Sequence, residues 1–225
     1  GMLPSAARAS DGVVAVVEER IGRLAGIAAH DAEDELNLVY RPDGPSYDQE
    51  PGLVNLHLDA RLGRPHSAVT VLVYLNDVRA GGGTVFPCVG RGGGDGGGDD
   101  DGFGARFADA SARGEDLLEF GACPEGHEHH ELLLLGEHVA RGTPGAGGLV
   151  TKPTRSSAIA FWSLNPLGGP ERPWAAWERE PLAWHGGVRV LPGGGGKFIL
   201  QKFKELPVED RGNGPAAPVG AGAGR

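Results

Sequence analysis

At 225 residues the chain is long enough for one sizeable core but cramped for two, because 40 glycines and 17 prolines shorten its core-forming length. A net charge of −9 argues against a nucleic-acid binder, which would show a basic face. No apolar run approaches the roughly 18 residues needed to span a bilayer, and the N-terminus lacks the apolar stretch of a secretory signal. The compartment therefore stays open between ER lumen and cytoplasm.

Residues 12–28, GVVAVVEERIGRLAGIA, carry apolar side chains near a 3.6-residue period, with Glu18, Glu19 and Arg20 polar. That predicts an amphipathic helix. ELNLVY (35–40) alternates Leu36, Leu38 and Tyr40 as a strand does, and the turn-rich RPDGPSYDQEPG follows. A second strand is expected over 53–62, with Leu56 and Leu58 on one face and His57 and Asp59 on the other. The β-branched run 67–78 predicts a buried strand, and AGGGTVFP adds a glycine turn and a short strand.

From Gly90 to about Gly147 the composition changes: GRGGGDGGGDDDG cannot pack a core and reads as a flexible insertion. Within it, SARGEDLLEF and ELLLLGEHV have enough apolar content to fold locally over the domain. The three histidines of HEHHE (127–131) read as a solvated tract. Cys88 and Cys123 flank the insertion as two thiols or one loop-closing bridge. Strand patterns resume at 148–153, 156–164, 181–190 and 197–206, and residues 207–225 form a disordered Pro/Gly/Ala tail. The expected fold is mainly β: a double-stranded β-helix, or cupin-like jelly roll, with an N-terminal packing helix. One domain fills 1–206.

The sharpest local feature is His57-Leu58-Asp59. Residues i and i+2 of a strand share a face, so an imidazole and a carboxylate stand side by side. They form two thirds of a facial triad of two histidines and one carboxylate, which leaves open positions on a non-haem Fe(II) ion. His185, in AWHGG, is the candidate third ligand. Lys197, twelve residues on, is placed to pair with a carboxylate inside the barrel, or else is a strand-end lysine in solvent.

SAVTVLVYLNDVRAGGGTVFP (67–87), GLVTKPTRSSAIAFWSLNP (148–166) and AWHGGVRVLPGGGGKF (183–198) resemble, in order, segments of the prolyl 4-hydroxylases. RIGRLAGIAAHDAEDELNLVY (20–40) is similar to their lead-in helix and first strand. The resemblance spans roughly 15–90 and 147–205. It implies an Fe(II)- and 2-oxoglutarate-dependent dioxygenase that uses O₂ and L-ascorbate and hydroxylates proline in a proline-rich peptide. His57, Asp59 and His185 would ligate iron, and Lys197 and Thr84 would bind 2-oxoglutarate. Tyr40 would hydrogen-bond the same cosubstrate, with Tyr47 as its competitor. Ser67 stands where the family has an arginine, with Arg64 and His66 nearby, and Phe203 replaces its tryptophan. Those departures leave the substrate open.

Overall fold

The computed structural model describes residues 11–44, 52, 54–60, 64–90, 118–119, 125–126, 129–168, 171 and 174–211. Helix α1 (Gly12–Ala25) starts where the Asp11 carboxylate accepts hydrogen bonds from the backbone N–H groups of Val13 and Val14. It stops at Gly26, whose φ of 67° is left-handed backbone that only glycine takes without strain.

The strands form two facing sheets. One contains β1 (Asn37–Arg41), β3 (Ser67–Tyr74), β7 (Ala158–Trp162) and β11 (Lys197–Glu205), in the order β1-β11-β3-β7. The other contains β2 (Asn55–His57), β4 (Thr84–Phe86), β5 (Leu118–Glu119), β6 (Leu149–Val150) and β10 (His185–Gly187), in the order β5-β2-β10-β4-β6. A hairpin of β8 (Leu164–Pro166) and β9 (Trp177–Arg179) closes one end. All of these pairings are antiparallel. The chain passes from sheet to sheet at β1–β2, β2–β3, β3–β4, β6–β7 and β10–β11, which makes the expected jelly-roll-like fold.

Pleat parity decides which side chains face the gap between the sheets. Thr70, Leu72 and Tyr74 of β3 pair with Phe203, Gln201 and Ile199 of β11, so all six point inward with Lys197. The opposite parity packs outward: Val69 and Val71 meet Ile21 and Ala25 of α1. On the second sheet Leu56 faces outward to helix α2 (His130–Ala140), whose Leu132, Leu133 and Val139 join Leu58, Val85 and Trp184 in a second core. Burying each such leucine contributes about 1.5–3 kcal/mol. The layers run α1, sheet, sheet, α2.

Two apolar stretches of the 90–147 segment are ordered elements: β5 joins the edge of a sheet and α2 packs into the second core, while the glycine-rich residues 91–117 lie outside the described ones. Several other expectations need correction. The long strands expected at 53–62 and 181–190 shrink to β2 and β10, the latter preceded by a 3₁₀ turn at Pro181–Ala183. The tail begins with a helical turn, α3 (Val208–Arg211), held by Arg211 on the Leu206 and Ala32 carbonyls and on Glu205. Glu18, expected on the polar face of α1, is buried, while Val13, Val16 and Leu24 are exposed. The cause lies on the outward face of β11. Lys202 and Lys204 are buried there, and their ammonium groups meet Glu18 and Glu33 at 2.5–3.4 Å.

Candidate metal centre

His57 and His185 are direct partners across the β2–β10 ladder, which brings their ring centroids to 4.4 Å. This pairing needs Gly186, because a Cβ there would lie 2.3 Å from the Asn55 carbonyl oxygen. Asp59 sits in the bend just after β2 and is 2 % exposed. Its Oδ1 lies 3.5 Å from His57 Nε2 and its Oδ2 lies 3.5 Å from His185 Nε2. All three potential ligand atoms fall within 4.8 Å of one another, a group able to hold a metal ion.

The surroundings fit a metal. His185 Nδ1 lies 2.9 Å from the Ala183 carbonyl and His57 Nδ1 lies 3.4 Å from that of Asn55. An Nδ1–H donated to a carbonyl leaves the Nε2 lone pair for the ion and fixes the ring. Thr70, on the opposite sheet, donates its hydroxyl to Asp59 Oδ2 at 2.5 Å. Burial alone would raise the Asp59 carboxyl, but facing His185 and His57 together with Thr70 outweigh it and hold the group well below the usual carboxylate range. Two imidazoles and a carboxylate on one side of a site are the donor set that suits non-haem Fe(II).

Lys197 lies on the same inward face of β11, 5 % exposed, with its ammonium donating to the Gly82 carbonyl at 2.7 Å. Burial, then the nearby Arg41 charge, lowers its pKa to about 8. Thr84 is buried two residues beyond Gly82, and its hydroxyl lies 3.1 Å from that of Tyr74. Tyr74 also meets the Thr151 hydroxyl at 2.8 Å. Lysine and hydroxyls thus converge on one segment, 82–84. From Thr70, at the triad, four residues at about 3.3 Å each put Tyr74 roughly 13 Å along β3.

Tyr40 is not part of this gap. It pairs with Phe198, whose parity is opposite to that of Lys197, and its ring lies tilted against that of Phe198 at 4.5 Å while 52 % exposed. The inward residue of that strand is its neighbour Arg41. Tyr47 lies outside the described residues, as does Cys123, so the cysteine bridge falls there too; Cys88 is buried. Sequence reasoning missed Thr70, Tyr74 and Thr151. Thr70 and Tyr74 sit four apart in an otherwise apolar buried run. Polar groups there need partners, and that was the available signal.

Ser67 is buried, and Arg64 pairs with Asp34 at 2.5 Å and covers the Phe203 ring at 4.4 Å. His66 stands edge-on to Trp177. The histidine tract is not solvated throughout: His129 is buried at the start of α2 and His130 half-buried, while His127 is outside the described residues. Beside His185 opens a cleft of about 470 Å³ lined by Phe86, Leu149, Ile159, Phe161, Trp162 and Leu182. The rings of Phe161 and Phe86 lie 4.5 and 5.7 Å from that of His185.

No family model matches the chain. Over 187 residues, 83 % of its length, the chain is 27 % identical to probable prolyl 4-hydroxylase 10 of Arabidopsis thaliana. The match covers 47 % of that protein, so the chain spans about half the length of this curated relative. A likeness this distant, spread over most of the chain, supports a prolyl 4-hydroxylase-like family and nothing finer.

Proposed function

We propose that the protein is an Fe(II)- and 2-oxoglutarate-dependent dioxygenase that hydroxylates peptidyl proline while 2-oxoglutarate is decarboxylated to succinate. The observation that carries this reading is the convergence of His57, Asp59 and His185 across two adjacent chain segments, with both imidazoles anchored through Nδ1. The distant likeness to a plant protein named as a probable prolyl 4-hydroxylase supports the choice of substrate.

Iron held by the triad would supply the oxygen activation that couples keto-acid decarboxylation to hydroxylation. The chain's own residues bind and orient. Thr70 holds the Asp59 carboxylate, by its hydrogen bond to Oδ2, beside the two histidines. Lys197 would receive the far carboxylate of the keto acid, with Tyr74, Thr84 and Thr151 as neighbouring hydroxyl partners. Leu72, between Thr70 and Tyr74 on the inward face, offers an apolar wall that keeps water out. The aromatic cleft beside His185 suits an uncharged ring or aliphatic side chain, and a pyrrolidine is one.

A second reading, the same chemistry on another peptidyl residue or a small molecule, is favoured by one observation. Ser67 is buried in β3, and the nearby cation, Arg64, is paired with Asp34. The deciding experiment is succinate release from 2-oxoglutarate by protein supplied with Fe(II), O₂ and L-ascorbate, with and without a proline-rich peptide. Peptide-stimulated turnover is expected. Slow turnover that no such peptide stimulates would shift the substrate to the second reading, and iron-loaded protein without turnover would overturn both.

A further inference from the structure

We propose that Arg41 is the second cation of the keto-acid pocket, gripping the far carboxylate from the open edge of the sheet while Lys197 holds it from within. The inference rests on the dioxygenase reading. Arg41 and Lys197 are direct cross-strand partners in the β1–β11 ladder, so both project to the inward face. Cβ atoms of such partners stand about 4.5–5.5 Å apart. Like charges placed there repel unless an anion lies between them.

Among the described residues neither cation is ion-paired. The Lys197 ammonium is 5 % exposed and rests on a neutral carbonyl, that of Gly82. Asp43 is the acid two residues beyond Arg41, but its carboxylate oxygens accept from the backbone N–H groups of Gly195 and Gly196. Two uncompensated cations on one inward face, one of them buried, form a site for an anion rather than a structural pair. Burial and the Arg41 charge together already weaken the proton on Lys197, the cost that a bound carboxylate would remove.

The division of labour follows from position. β1 is the edge of its sheet, so Arg41 is reached from solvent, whereas Lys197 is enclosed. A guanidinium offers a planar fork matched to a carboxylate, and the ammonium offers a point charge. Together they would select keto acids with a second carboxylate over those without one. Arg41 is thus a specificity-determining residue for the cosubstrate and touches no reacting atom.

Equilibrium dialysis of labelled 2-oxoglutarate and of 2-oxobutyrate, which lacks the far carboxylate, tests this on iron-loaded protein under nitrogen, where no turnover occurs. Arg41→Gln is expected to weaken 2-oxoglutarate binding about tenfold, the loss of one charge-assisted contact. Binding of 2-oxobutyrate should stay unchanged, and Arg41→Lys should recover part of the loss. Equal weakening of both acids would overturn the assignment, because it would mark a general structural defect. If Lys197→Gln weakens 2-oxoglutarate binding but Arg41→Gln does not, Arg41 is excluded while the pocket stands. If neither substitution matters, the pocket reading itself fails.

Discussion

One hydroxyl, that of Thr70, ties the candidate metal centre on one sheet to the inward face of the other. Thr70→Val removes the donor and leaves Asp59 Oδ2 buried without it. Iron affinity is expected to fall about tenfold to a hundredfold, as for other residues that orient a ligand, and Thr70→Ser should restore it. Chelator competition reads the affinity, and far-UV circular dichroism should show the fold unchanged. Lys197 carries a second residue-scale prediction. Burial and neighbouring Arg41 hold its pKa at about 8, while Asp43 is engaged by Gly195 and Gly196. A carboxylate needs the ammonium form, so 2-oxoglutarate affinity should be flat below pH 8 and fall about tenfold per pH unit above it. Calorimetric titrations on either side of that value decide it. Without ligand the sign is opposite: the unfolded lysine keeps its proton to about 10.5, so folding gains stability as pH rises from about 8 to 10.5. His57 and Asp59 were legible as a pair because HxD spacing is local. Thr70 was not, because its partner lies on the other sheet.

At the scale of elements, α1 and the loop after it meet β11 through buried ion pairs, beside the apolar contacts that Ile21 and Ala25 make with the sheet. Glu33 accepts from both Lys202 and Lys204, and Glu18 also meets Lys202. Removing one partner of a buried pair leaves its counterion stranded, so Glu33→Ala should destabilise the fold by about 3–5 kcal/mol in urea denaturation. The exposed Glu19–Arg23 pair on the same helix is the control, and Glu19→Ala should cost about 0.5 kcal/mol or less. Neither change should alter iron affinity, since both lie on the outward face of the sheet. Periodicity placed α1 correctly at Gly12 but could not show that Glu18 turns inward, because the charges it meets lie 184 residues away. The short β2 and β10 had a related cause. Their flanking residues alternate like strand, yet bends at Asp59 and Ala60 and the 3₁₀ turn at Pro181–Ala183 end the ladders early.

For the molecule as a whole, metal binding and folding are linked, since the three ligands come from segments 128 residues apart that meet only when β2 and β10 pair. Free Fe(II) at a hundred times its dissociation constant adds about 2.7 kcal/mol of stability. For a domain of this size that is roughly 5–10 °C in Tm. Anaerobic calorimetry with and without chelator should show the shift, and Asp59→Ala should abolish it together with turnover. The sequence by itself determined the fold class, the places of most strands along the chain and the three candidate ligands. Strand character, glycine turns and i, i+2 spacing are short-range properties that survive without knowledge of partners. Tertiary structure alone decided which parity faces inward. Tyr40 and Arg41 are adjacent and either can lie inside; the register Arg41↔Lys197 and Tyr40↔Phe198 sends the arginine in and the tyrosine out. It decided as well that α2, within a stretch that reads as insertion, covers Leu56 and closes the second core. Register and layer packing join residues more than a hundred positions apart, and nothing in a local window of residues encodes that choice.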